Sequence, residues 1–291
     1  MEKKRVCIDA GHSGKYNRSP VVKSYYESDM NWKLHLLLKA ELEKRGIEVT
    51  TTRKTQNTEL SVTARGKKAK GSDLLLSLHS NAAEKESVDY VAVYHLTSDT
   101  TTKIDEESKA LAESIAPVIE KEMGVKQGNR VLSRKSSNDR NGDGRMNDNY
   151  YGVLHGARMV GVPGLILEHS FHTNTAATKW LLDDNNLAKL AKAEAAVVAE
   201  HLGVEETKQS ETVAQKTCTV ELPVLKRGDK GKDVEAMQIL LDLRGYPCAD
   251  GGADGSFGPA TEKALIAFQE SVGLPGDGSC GLKPWAKLLG L

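Results

Sequence analysis

Apolar positions along most of the chain follow two alternating patterns. Short, unbroken or β-branched apolar runs predict buried strands at residues 6–8, 47–52, 74–78, 88–96 and 164–167. Between them, apolar positions recur three and four residues apart. That spacing predicts helices over 28–45, 60–70, 109–123 and 175–202. Gly46, Gly71 and Gly124 stand where the first three helices should stop. Strands alternating with helices predict an α/β fold, a mostly parallel twisted sheet flanked by helices on both faces.

Beyond residue 203 the pattern changes. Residues 204–222 are rich in Glu, Thr, Lys, Gln and Val with no strong period, as in an interdomain linker. Residues 223–291 show the apolar spacing of three short helices, near 234–243, 259–271 and 285–289, separated by glycine loops. Pro259 suits the first turn of the second. The chain therefore divides into residues 1–203, a linker at 204–222, and a small all-α three-helix domain at 223–291.

Composition narrows the partners. The 291 residues carry 40 Lys+Arg and 40 Asp+Glu, so no net charge draws the protein to nucleic acid or to an anionic surface. No apolar run approaches the ~20 residues of a membrane span, so membrane insertion is not expected. Met1-Glu2-Lys3-Lys4-Arg5 leads straight into the first strand with no apolar signal segment, which predicts synthesis in a cytoplasm without a signal peptide. The four cysteines show no CxxC spacing and should be reduced there. Cys7 reads as a core residue, and Cys248 and Cys280 share one domain and can pair only if oxidised.

Three apolar strands end on candidate chemistry: His12 in a tight glycine turn with Gly11 and Gly14, His79, and Glu168. Strand ends on one edge of an α/β sheet converge in space even when far apart in sequence. Glu27, just before the first helix, is close to the first turn by chain connectivity. Two imidazoles and one carboxylate form a common catalytic zinc set with a position left for water. A second carboxylate in the crevice can serve as general base and then acid.

These residues carry a resemblance. Ile8-Asp9-Ala10-Gly11-His12-Ser13-Gly14, Glu27 with Asn31, Ser77-Leu78-His79-Ser80-Asn81-Ala82, and Leu167-Glu168-His169-Ser170-Phe171-His172-Thr173-Asn174 resemble the zinc-dependent N-acetylmuramoyl-L-alanine amidases of bacterial cell walls and phage endolysins. Thr52-Arg53 and Arg65 fit between these motifs. The resemblance implies His12, Glu27 and His79 as zinc ligands and Glu168 as the acid/base. It implies Asn81, Asn174 and Arg65 at the substrate, and cleavage of the amide between the lactyl group of N-acetylmuramic acid and the L-alanine of the stem peptide. His169 should face away from the site, and His172 lies in a loop that can approach substrate.

The last 69 residues resemble the small three-helix peptidoglycan-binding domain. Leu225-Lys226-Arg227-Gly228-Asp229, Asp254-Gly255-Ser256-Phe257-Gly258-Pro259, Phe268-Gln269, Asp277-Gly278 and Trp285 carry that resemblance. It implies binding of glycan strands and stem peptides, with Asp254, Phe257, Gln269 and Trp285 as wall contacts. The chain departs from the pattern at Cys280 and in the stretched Gly251-Gly252-Ala253. Together these features predict an endolysin released through a holin, with a bacterial lysin freed by lysis of the mother cell as the second choice. A non-catalytic wall-binding protein and a zinc peptidase cutting within the stem peptide are the alternatives. Residues 139–150 begin like a calcium loop, but Tyr150 stands at the twelfth position where a bidentate acid is needed, so Ser133 to Asn149 read as a polar loop beside the crevice.

Overall fold

Strand β1 (Arg5–Ala10) pairs in parallel on both sides, with β2 (Glu48–Thr51) and with β3 (Leu74–Asn81). This computed structural model describes residues 3–98, 101–139, 148–204, 222–248 and 253–290. On the far side of β3, β6 (Gly164–Phe171) continues the parallel pairing. β4 (Val91–His95) then runs antiparallel to β6, and β5 (Asn129–Leu132) runs parallel to β4. The six strands lie in the order β2-β1-β3-β6-β4-β5, a mostly parallel sheet with one reversed pair at its edge.

The central strands are apolar on both faces because helices cover both. Val6, Ile8, Leu74, Leu76, Leu78, Leu165 and Leu167 face one layer, built from α1 (Glu27–Lys44), α3 (Lys103–Met123) and α6 (Asp184–His201). Cys7, Leu75 and Ile166 face the other, where α2 (Val62–Lys67) and α4 (Gly152–Met159) pack. Each such fully buried leucine or isoleucine stabilises the fold by roughly 1.5–3 kcal/mol. No helix among the described residues is long and apolar enough to cross a membrane.

Several elements differ from the sequence pattern for local reasons. The single helix expected over 175–202 is two, α5 (Thr175–Leu182) and α6, broken at Asp183. The Asp183 carboxylate accepts from the backbone N–H groups of Asn185 and Asn186 and so starts a new helix. Helix α3 begins six residues early because Asp105 accepts from both the N–H and the hydroxyl of Thr102. β5 is a four-residue edge strand with no alternation to reveal it. α4 is masked in the sequence by Gly152 and Gly156, and glycines on both helices permit close contact with α2: a Cβ on Gly156 would lie 2.2 Å from the Thr63 carbonyl, and one on Gly66 of α2 would lie 2.0 Å from that of Val153.

The chain divides into two compact units, Met1–Gln209 and Ser210–Leu291. The second is all-α, with α7 (Lys232–Leu243), α8 (Pro259–Ser271) and α9 (Leu282–Leu289) around Val234, Met237, Leu241, Leu265, Phe268, Trp285 and Leu288. Most of the expected linker, Cys218 and Gly251-Gly252 lie outside the described residues, as do residues 140–147 of the calcium-like loop. Cys248 and Cys280 are free, not paired. Both are buried in this core, and burial pushes their thiols up to about 11 and about 12.

Candidate metal centre and crevice

β1 delivers its chain to the site through a braced turn. Asp9 is buried and accepts from the hydroxyls of Thr52 (2.5 Å) and Ser77 (2.9 Å) and from Arg65 Nη1 (3.4 Å). Arg53 and Arg65 both donate to the Ala10 carbonyl, at 2.6 and 3.0 Å. After this clamp the chain turns at Gly11, where a Cβ would lie 2.3 Å from the His79 ring. His12 follows with φ of 60°, a left-handed conformation that a non-glycine residue adopts at a cost.

The turn and the end of β3 meet at the start of α1. Glu27 Oε1 accepts from His79 Nδ1 (2.9 Å) and from the Ser80 N–H (3.0 Å). Glu27 Oε2 accepts from Asn17 Nδ2 at 2.6 Å and lies 3.2 Å from His12 Nε2. One donor atom each from His12, Glu27 and His79 falls within 4.8 Å of the others, a group that can hold a metal ion.

The charges fit a cation. Burial opposes ionisation of Glu27, but hydrogen bonds from His12 and His79 outweigh it and hold the carboxyl well below the usual range. Burial likewise opposes charge on His79, yet Glu27 raises it to about 9. An ionised carboxylate suits a cation, whose binding would displace a proton from the histidines.

Glu168 stands beside this group. It is the Cα partner of His79 across β3 and β6, just before the register shifts between His79 and Asn81. Burial pushes its carboxyl up to about 7; His79 lowers it and Glu27 raises it further. Its Oε2 is buried with no hydrogen-bond partner among the described residues. A crevice of about 320 Å³ opens over these groups, lined also by Asn81, Tyr151, Val153 and His172.

His169, next along β6, points to the opposite face and is sealed from solvent. Its Nδ1 donates to the His79 carbonyl (2.9 Å) and its Nε2 pairs with Glu194 Oε1 of α6 (2.7 Å). The two sides of β6 thus carry different tasks, as strand alternation requires.

The other predicted site residues divide. Asn81 lines the crevice. Arg65 does not: it is 5% exposed and works beneath the turn, on Asp9 and Ala10. Asn174 does not either. Its side chain caps α5 through the Ala177 N–H and donates to the Glu86 carbonyl. The sequence pattern does not mark Asn17 or Tyr151, since one lies in a loop without a period and the other at the start of α4.

In the second unit three of the four expected wall contacts, Phe257, Gln269 and Trp285, are buried, whereas Asp254 is exposed. Phe257 and Trp285 are core residues, and Trp285 Nε1 donates to the Pro223 carbonyl. Asp254 and Gln269 belong to two matching clasps. Gln238 donates to Asp254 and to the Ser256 carbonyl and accepts from the Gly255 N–H. Gln269 makes the same three bonds to Asp277, Ser279 and Gly278. Of the four, Gln269 borders a groove of about 510 Å³, with Val224, Leu274, Pro275 and Leu282.

A family model described as N-acetylmuramoyl-L-alanine amidase matches residues 6–200, which include every residue of this centre. The chain belongs to that family. A second model, of a peptidoglycan-binding domain, matches residues 230–288. A protein named "Probable N-acetylmuramoyl-L-alanine amidase" from Bacillus licheniformis is 30% identical over 117 residues, 40% of this chain and 32% of that protein. A "Spore cortex-lytic enzyme" from Bacillus cereus is 45% identical over 60 residues, 21% of this chain and 22% of that protein. The chain thus spans a third or less of these relatives. Among solved structures, the N-acetylmuramoyl-L-alanine amidase of Clostridium difficile 630 superposes with a TM-score of 0.57 at 22% identity, over 70% of this chain and 100% of that one. The catalytic domain of CwlV, from Bacillus (Paenibacillus) polymyxa, gives 0.54 at 21%, over 69% and 99%. These likenesses show a shared fold.

Proposed function

We propose that the first unit is a zinc-dependent amidase. It cleaves the bond between the lactyl group of N-acetylmuramic acid and the L-alanine of the stem peptide. The observation that carries this reading is the juxtaposition of the His12–Glu27–His79 donor group with Glu168, whose buried oxygen has no partner. Two imidazoles and a carboxylate suit zinc, and the family match supplies the substrate class.

Zinc held by His12, Glu27 and His79 would polarise the scissile carbonyl and acidify the attacking water. Glu168 takes the proton from that water and passes it to the leaving amine, for which a carboxyl near 7 is well matched. The braced turn at Ala10–Gly11 holds His12 in place. Glu27 orders the centre from below by tying Asn17, His79 and the Ser80 backbone together.

We further propose that the second unit holds the enzyme on peptidoglycan, and that the whole serves as an endolysin made in the cytoplasm and admitted to the wall by a holin. A unit that cuts joined to one that binds the wall suits that task. Digestion of purified wall tests the activity. Release of new L-alanine amino termini, with glycan strands intact and the reaction stopped by a chelator, supports it. New termini elsewhere in the stem peptide would indicate a peptidase, and no release a non-catalytic wall-binding protein.

A further inference from the structure

At the Ser80 end of the crevice lies an imidazole outside the donor group. His172 directly follows β6, and its backbone N–H donates to the Asn81 carbonyl at 2.8 Å, tying the loop to β3. The residue is buried, with its side chain 7% exposed, and lines the crevice. Nδ1 lies 3.0 Å from the Ser80 carbonyl and 3.1 Å from the Ser80 hydroxyl. A carbonyl oxygen only accepts, so Nδ1 carries the hydrogen. The Ser80 hydroxyl also meets the Tyr25 hydroxyl at 2.8 Å, and the fully buried Tyr25 ring lies parallel to His172 at 6.2 Å. The imidazole is therefore fixed in position and tautomer. Its Nε2 has no partner among the described residues and is an acceptor.

The surroundings select the ligand. Glu27 Oε2 lies 3.9 Å from Nδ1, and Glu168 lines the same crevice. A carboxylate or carbonyl oxygen placed against Nε2 would find an acceptor there, whereas an N–H completes it. Resting on the amidase reading, we propose that His172 Nε2 receives a secondary amide N–H of the bound muramoyl-peptide and so sets its register over the centre. That N–H belongs either to the stem peptide or to the acetamido group of the sugar.

The test uses the full chain with His172→Gln, which keeps an acceptor, and His172→Leu, which does not. His172→Met replaces the leucine variant should that one fail to fold. The expected result on a muramoyl-peptide is a loss of about ten-fold in kcat/KM, mostly in KM, for the apolar variant and under about three-fold for His172→Gln, with zinc content unchanged in both. Two analogues separate the sources: a stem peptide N-methylated at the amide after L-alanine, and a sugar with 2-acetoxy in place of 2-acetamido. On the one lacking the relevant N–H, wild type and apolar variant converge. Equal losses in the glutamine and apolar variants, or an apolar deficit that persists on both analogues, would overturn the assignment. If wild type leaves the muramoyl-peptide uncut, the amidase reading falls and this one with it. If wild type cuts and the variants match it, only this one falls.

Discussion

His79 of β3 and Glu168 of β6 are register partners on neighbouring parallel strands. Their side chains leave the same face of the sheet on strands about 4.8 Å apart. A donor of the metal group and the acid/base of the proposed reaction are thus set side by side by backbone hydrogen bonding alone. Glu168→Gln keeps the shape and removes the base. The expected loss in kcat is ~10²–10⁴-fold with stoichiometric zinc retained, read by metal analysis of the same preparation.

The same carboxyl predicts a pH dependence. As a base Glu168 works ionised, so kcat/KM should rise with pH and level off above about 7. Stability runs the other way. A carboxyl whose folded pKa is raised from 4.5 to about 7 favours the fold when protonated. That contribution is complete below 4.5 and is lost as pH climbs through 7. In urea melts of chelator-treated protein, Glu168→Gln should equal wild type near pH 4 and exceed it at pH 8, by an amount of order 3 kcal/mol.

The buried His169–Glu194 pair acts on the centre from behind, because His169 also holds the carbonyl of His79. Glu194→Ala leaves a sealed imidazole without its acceptor and should cost ~3–5 kcal/mol in thermal or urea unfolding. Loss of this outer support should also weaken zinc binding by roughly 10-fold or more, measured by competition with a chromogenic chelator.

Two glycines of the first turn should respond differently to alanine. At Gly11 a Cβ would lie 2.3 Å from the His79 ring and 2.6 Å from the Leu78 carbonyl, so Gly11→Ala should lose zinc and activity. Gly14 has φ of 59° and nothing within 4 Å of a Cβ. Gly14→Ala should cost only ~1–2 kcal/mol of backbone strain and keep the metal. Zinc content and melting temperature of the two variants check this.

Much of the layout is legible in the sequence because strand ends carry both apolar pattern and chemistry. Ile8 leads to His12, Leu78 to His79 and Leu167 to Glu168, so the pattern that predicts β1, β3 and β6 also marks their active ends. What escaped depends on contacts far apart in sequence. α4 is read only from the close approach of Gly156 to Thr63. Arg65 is drawn to the Ala10 carbonyl across fifty-five positions, not to the crevice. Asn17 is defined by Glu27 rather than by its own loop. In the second unit, Asp254 and Gln269 are spent on glutamine clasps that no single motif displays.

In the proposed mechanism His12, Glu27 and His79 hold zinc and Glu168 does not. Metal analysis after dialysis of wild type, Glu168→Gln and His79→Ala, run beside wall digestion, tests it most directly. Stoichiometric zinc is expected in the first two, little in the third, and wall cleavage by wild type alone. Full zinc in an active His79→Ala, or loss of zinc in Glu168→Gln, would contradict it.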